Sequence, residues 1–110
     1  MIKAVFYTKK DELFGFRCSG HALYGSRGKD VVCAGVSALL INTVNSLEKL
    51  TEDSVISEVD ENGDVRCKVM GRPSREALLL LKALRLGLIS IYETYEDRYI
   101  QIYFREVSHD

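Results

Sequence analysis

The stretch from Asp30 to Leu50, DVVCAGVSALLINTVNSLEKL, decides the fold because its apolar residues recur every three or four positions. This spacing predicts an α-helix of about five turns with one apolar face, which must be buried against another element. Asp30 is expected to be the N-cap residue, so that Cys33 falls in the first turn. The recurring positions are Val32, Val36, Leu39, Leu40, Thr43, Val44, Leu47 and Leu50.

Two pairs of strands flank this helix in the sequence. Residues 2–8 and 12–19 are rich in aromatic and β-branched side chains, and the charged residues between them are typical of a hairpin turn. Residues 53–60 and 64–70 predict a second hairpin, since the intervening Asn62-Gly63 pair is a strong signal for a tight turn. The helix is therefore expected to connect two antiparallel hairpins.

A second helix is predicted to begin at Pro73 and Ser74 and to end at about Tyr92, before a last strand at residues 98–105. The resulting order, β-β-α-β-β-α-β, predicts an α+β fold with two helices packed on a mainly antiparallel sheet. At this length we expect a single domain, residues 1–110.

The second helix is apolar on more than one side, because residues 78–81 are four consecutive leucines. One sheet in so small a domain cannot cover all of that surface. We therefore expect the uncovered side to pack against a second copy, which predicts a homodimer. The alternative is that the first helix covers this side of the second helix. Both the first helix and a second copy can cover part of it.

Composition narrows the class of protein. Among 110 residues, 15 basic and 16 acidic side chains give a net charge of -1. Proteins that bind nucleic acid through its phosphates usually carry a basic excess, so no direct contact with nucleic acid is expected. The first residues lack the apolar run of a signal peptide, and the most apolar stretch, residues 77–92, is too short to span a bilayer. These features predict a cytoplasmic protein with no membrane partner.

The three cysteines, Cys18, Cys33 and Cys67, form neither a C-x-x-C pair nor a metal-ligand spacing. Their odd number argues against a disulfide framework, and we expect no metal and no other cofactor. Cys18 and Cys67 lie within predicted strands and are interpreted as packing residues. Cys33 is the remaining candidate for chemistry.

Cys33 and His21 form the pair best suited to catalysis. A thiol in the first turn of a helix meets unsatisfied backbone N–H groups and the positive end of the helix dipole, which both favour the thiolate. The same N–H groups suit the oxyanion of a tetrahedral intermediate. His21 lies in the glycine-rich segment 19–30 and is suited to act as general base and then as general acid.

Two further residues are candidate supporting groups. Ser37 lies four residues after Cys33 on the same helix face, where its hydroxyl can reach the thiolate or the loop. Asp30 is expected to cap the helix, and its carboxylate is a candidate to orient His21. Each residue also has an ordinary interpretation, because buried cysteines are mostly inert and loop histidines are usually solvated.

A specific pattern connects these candidates: G-H-A-x-Y-G, followed by G-x-D-x-V-C-A-x-V-S-x-L. The residues that match it are Gly20, His21, Ala22, Tyr24 and Gly25, then Gly28, Asp30, Val32, Cys33, Ala34, Val36, Ser37 and Leu39. This pattern resembles that of the Prp family of ribosomal-processing cysteine proteases, and the predicted order of strands and helices also fits the family.

The resemblance implies a dimeric cytoplasmic endopeptidase whose nucleophile is Cys33 and whose catalytic histidine is His21. It also implies the substrate, because family members remove a short N-terminal extension from a large-subunit ribosomal protein in certain bacteria. Gly20, Asp30 and Ser37 are then expected to support the pair. The residues expected to contact substrate, in the loop before the helix, are Ala22, Tyr24, Gly25 and Gly28.

Two other functions compete with this hypothesis. The first is a non-catalytic, ribosome-associated binding module that uses the loop and the apolar helix as contact surfaces. Such a module would tolerate the loss of the Cys33 thiol. The second is a redox-sensing thiol protein, which is disfavoured because no resolving cysteine is obvious.

Overall fold

The computed structural model describes residues 1–20 and 27–107, and the side chains of residues 1–20 and 31–107. The predicted order of elements is confirmed, with one short 3₁₀ turn, Glu96–Arg98, added before the last strand. The elements are β1 (Ile2–Lys9), β2 (Glu12–Ser19), α1 (Arg27–Leu50), β3 (Val55–Val59), β4 (Val65–Val69), α2 (Arg75–Tyr95) and β5 (Ile100–Glu106).

The five strands form one sheet in the order β3-β4-β2-β1-β5. Three of the four pairings are antiparallel, and only β1 with β5 is parallel, so the expected mainly antiparallel sheet is confirmed. Alternate residues of each strand point to one face, as the period of a strand requires. On β1 these are Ile2, Ala4 and Phe6, which are buried beneath the helices.

Helix α1 begins at Arg27, four residues before Val31, the first helical residue expected after an N-cap at Asp30. Arg27 and Lys29 are good helix formers, and the roughly 1 kcal/mol cost of a helical glycine does not prevent Gly28 from joining them. The prediction that Asp30 is the N-cap is therefore wrong, since Asp30 is the fourth residue of the helix. Gly28 likewise lies in α1 and not in the loop to which it was assigned.

Within α1, Val31–Leu50 is long and apolar enough, by length and composition alone, to cross a membrane. A core helix of a soluble domain meets the same criterion. Here Val36, Leu40 and Leu47 are fully buried in the core that α1 shares with the sheet and α2, so this stretch is explained by packing within the domain.

Helix α2 buries one side on the sheet and places a second side against α1. A Cβ atom added to Gly87 would lie 3.0 Å from a methyl carbon of Leu39, so the absence of a side chain at Gly87 permits this close approach. Leu79 and Leu86 nevertheless stay 68% exposed on a third side. The first helix thus covers part of the apolar surface of α2, and part remains uncovered. The residues of α2 buried on the sheet side are Ala77, Leu81, Leu84 and Leu88.

The start of α2 is held by a capping network. The Ser74 hydroxyl accepts a hydrogen bond of 3.0 Å from the backbone N–H of Ala77 and donates one to the Asp53 carboxylate. The backbone N–H of Ser74 donates to the second oxygen of Asp53 at 2.8 Å. The side-chain hydrogen bond from Ser74 is the largest cause of the lowered pKa of Asp53.

Replacing Ser74 with alanine is expected to lower the free energy of unfolding by about 1 kcal/mol at neutral pH, because the cap and one partner of Asp53 are lost. A carboxyl with a lowered pKa stabilises the fold above its unfolded pKa, and that contribution disappears as the pH falls through the folded pKa. The difference between Ser74→Ala and the unmodified protein should therefore shrink below about pH 4. Urea unfolding at several pH values measures this difference in the free energy of unfolding. The matched control is Ser90→Ala, which changes an exposed serine within α2. An equal effect of both variants would contradict the capping role.

Candidate active site

Cys33 is the seventh residue of α1, in its second turn, and its side chain is 5% exposed. The prediction of a first-turn position is therefore wrong, because the helix starts earlier than expected. A backbone N–H this far into a helix bonds to the carbonyl four residues before it. The N–H of Cys33 is thus not free to bind an oxyanion, and the N–H groups that have no partner within α1 belong to residues 27–30.

Cys18, near the end of β2, belongs to the same buried core as Cys33. Burial raises the pKa of the Cys18 thiol to about 12, and the charges of Asp64 and Cys33 add to the effect. From this end of β2 the chain continues towards His21.

Cys67 on β4 is also a buried thiol, 3% exposed. Burial is the main cause that raises its pKa to about 11, and the Glu48 carboxylate adds to it. Both Cys18 and Cys67 are consequently protonated at neutral pH, and a protonated, buried thiol is a poor nucleophile. This agrees with their interpretation as packing residues.

Gly20 fixes the path by which the chain leaves β2. Its φ angle is +82°, and a Cβ atom there would lie 2.3 Å from the carbonyl oxygen of Met1. Glycine alone combines that conformation with so close an approach. The predicted site residues that follow, His21, Ala22, Tyr24 and Gly25, lie outside the described residues.

Replacing Gly20 with alanine is expected to destabilise the protein by at least about 2 kcal/mol, from strain at positive φ and from the contact with Met1. Gly71→Ala is the matched control, because Gly71 also has positive φ, +72°, but no described atom lies within 4 Å of its added Cβ. Urea unfolding of both variants separates the contact from the strain. An equal loss of stability would show that the contact with Met1 contributes nothing.

Ser37 is half-buried, one turn after Cys33 on α1. The surface of the same helix next to Cys33 carries the exposed residues Ala34 and Val31, the latter 58% exposed. A small side chain at Ala34 leaves room for an extended substrate to approach the helix. The structure thus brings Cys33, Ser37 and Ala34 to adjoining positions on α1, while the side chain of Asp30 lies outside the described part.

A metal site or a groove elsewhere in the molecule would be an alternative location for chemistry. Within residues 1–20 and 31–107, no group of three or more side chains is placed to hold a metal ion. In the described part of the chain, one groove lies at the opposite end of β2, and none of the predicted site residues lines it. Its lining includes Lys10, Glu12, Phe14, Lys68, Met70 and Arg72. The described residues that line the groove include no cysteine or histidine, so the groove offers no second candidate for the thiol chemistry expected of Cys33.

Comparison with known proteins identifies the family. The family model described as cysteine protease Prp matches residues 1–101. The chain belongs to the Prp family of cysteine proteases. The Prp of Staphylococcus aureus strain Mu50, a ribosomal processing cysteine protease, is 35% identical over 79 residues, which are 71% of this chain and 74% of that protein. The resemblance inferred from the G-H-A and V-C-A motifs is thereby confirmed.

Solved structures of Prp from S. aureus have the same fold. One, in complex with a substrate peptide, has a TM-score of 0.87 and 27% identity and covers 96% of this chain and 100% of the other. A second, with a covalently linked product peptide, has a TM-score of 0.84 and 29% identity, with the same coverage. Those Prp proteins thus hold peptides on the fold that carries Cys33 here.

Proposed function

We propose that this protein is a cytoplasmic endopeptidase that removes the short N-terminal extension of a large-subunit ribosomal protein. Cys33 is the nucleophile and His21 is the general base and acid, and no cofactor takes part. The observation that carries the proposal is that Cys33 shares a buried core with Cys18, which lies near the end of β2 that leads to His21. The covalently linked product peptide of the S. aureus relative supports a thiol ester as the intermediate.

The length of the chain supports the pairing of Cys33 with His21. Only Ser19 and Gly20 lie between Cys18 and His21, so the Cα atoms of these two residues are at most about 11 Å apart. Cys18 shares a buried core with Cys33, and the short chain between Cys18 and His21 supports the pairing of the histidine with this thiol. The fixed conformation of Gly20 further restricts the direction in which the chain leaves β2.

The proposed reaction begins when His21 takes the proton from Cys33 Sγ, and the thiolate attacks the scissile carbonyl carbon. The tetrahedral intermediate collapses to a thioester as His21 donates the proton to the leaving amine. Water, activated by His21, then attacks the thioester carbonyl and restores the free thiol. Because the N–H of Cys33 is bonded within α1, the donors that α1 offers to the oxyanion are the N–H groups of residues 27–30.

We also propose that two copies associate through the third side of α2. Leu79 and Leu86 are seven residues apart, on one face of the helix, and both are 68% exposed. Exposed leucines at helical spacing are typical of a protein–protein contact. The double variant Leu79→Glu, Leu86→Glu is expected to sediment as a monomer at concentrations where the unmodified protein sediments as a dimer. Identical sedimentation of the two would place the interface elsewhere or exclude the dimer.

The substrate proposal is tested with the purified protein and the extended ribosomal protein of the same organism. We expect a single cut that releases the N-terminal extension, detected by mass spectrometry. A ribosomal protein with the extension deleted serves as the control and should stay intact. If the protein binds the extended form tightly and never cuts it, the non-catalytic binding module is the better description.

A further inference from the structure

The sheet has a second face, which the helices do not cover. The strand residues that alternate with the buried ones point to it, and we call this surface the open face. Strand register places them in rows across the sheet. One row runs Glu58, Arg66, Arg17, Val5, Tyr103, and the next runs Ile56, Lys68, Gly15, Tyr7, Arg105.

Basic residues that are scattered along the sequence gather on the open face. The strands contribute six basic side chains to it and two acidic ones, Glu12 and Glu58. Because the whole chain has a net charge of -1, the rest of the molecule carries a net negative charge. The near-neutral total therefore hides an uneven distribution of charge. The basic residues are Lys3, Lys9, Arg17, Arg66, Lys68 and Arg105.

Two of these residues are directly opposed. Arg17 on β2 pairs in register with Arg66 on β4, and like charges facing each other across a sheet are destabilising. Among the described residues the buried Nε atom of Arg17 has no hydrogen-bond partner, and its guanidinium meets Asp64 only at 3.9 Å. An anion bound between the two guanidinium groups would relieve the repulsion.

Aromatic rings accompany the charges. Tyr103 lies in register across from Val5 and is 48% exposed. Tyr7 on β1 lies in the second row, and its ring centroid is 6.3 Å from that of Phe14. Flat rings on a sheet, next to guanidinium and ammonium groups, suit unpaired bases that stack while the phosphates meet the cations.

We propose that the open face binds single-stranded RNA. Phosphates contact Arg17, Arg66 and Lys68, and a base stacks on Tyr103. An acidic peptide or an anionic membrane would use the charges but would not need the exposed ring of Tyr103 on the edge strand β5. This site is separate from Cys33, which lies on the helix side of the sheet, and the inference does not depend on the proposed cleavage.

The test is fluorescence anisotropy with a labelled oligouridine of about 20 nucleotides. Arg66→Gln with Lys68→Gln is expected to weaken binding at least about tenfold and to reduce the slope of log K against log salt by about 1.4, or 0.7 for each lost phosphate contact. The matched control removes two exposed charges of α2, Arg75→Gln with Lys82→Gln, and should leave both quantities unchanged.

A second variant tests stacking without changing charge. Tyr103→Leu is expected to weaken binding about tenfold with the salt slope retained, while Tyr92→Leu, on α2, has no effect. The proposal is overturned if the oligonucleotide does not bind, if the control variants weaken it equally, or if only anionic phospholipid vesicles bind to the open face. Thermal unfolding of each variant confirms that it is folded.

Discussion

Replacing Cys33 with alanine is expected to lower the rate of cleavage of the extended ribosomal protein by at least about 10⁴-fold, because no other group on the protein can form the thioester. Cys18 and Cys67 do not substitute for it, since burial raises the pKa of each thiol well above neutrality. The rate is measured by mass spectrometry of the released extension at a single enzyme concentration.

Cys67→Ala is the matched control for this prediction. It removes the same atoms from a thiol that is equally buried, 3% exposed against 5% for Cys33, so any loss of packing is similar. The control is expected to cut at nearly the normal rate, and thermal unfolding shows that both variants fold. Undiminished cleavage by Cys33→Ala would remove Cys33 from the mechanism altogether.

Replacing His21 with glutamine is expected to lower cleavage about 10²- to 10⁴-fold, the usual contribution of a general base and acid. Glutamine is close to histidine in size but cannot take a proton from the thiol near neutral pH. The pH dependence of the residual rate should also differ from that of the unmodified protein, because no histidine then takes the proton of the thiol. Initial rates between about pH 6 and pH 9 measure both effects.

His109→Gln is the control, since the chain contains only two histidines. His109 is expected to be dispensable, with both the rate and its pH profile unchanged. If the two histidine variants behave alike, His21 is not the base and the Cys33 thiolate forms without it.

The arrangement of strands and helices could be predicted because local signals were strong. Apolar residues at helical spacing marked α1, and Asn62 with Gly63 marked the turn between β3 and β4. The predicted strands were nevertheless too long, because the Asp60 carboxylate accepts hydrogen bonds of 2.8 and 3.1 Å from the N–H groups of Asn62 and Asp64. That network turns residues 60–64 into a loop and limits the strands to Val55–Val59 and Val65–Val69.

The start of α1 shows the limit of local signals at the site. Asp30 is a good N-cap by type, yet α1 begins at Arg27 and continues through Asp30. The shared burial of Cys18 and Cys33 was not predictable, because it depends on how α1 packs across the sheet. The basic open face was equally hidden, since only the register of β2 with β4 brings Arg17 and Arg66 together.

The parallel pairing of β1 with β5 has a consequence for how the chain is made. Ninety residues, 10 to 99, separate the two strands, and a ribosome needs roughly 5 to 20 seconds to synthesise them. During that time one edge of β1 has no neighbour and can pair with a strand of another chain. Ile2 and Ile100 pair across these two strands and are both fully buried in the folded protein. Ile2 can reach this environment only after β5 has been made. The nascent chain therefore completes its sheet only after β5 has been made, and it is vulnerable to aggregation until then.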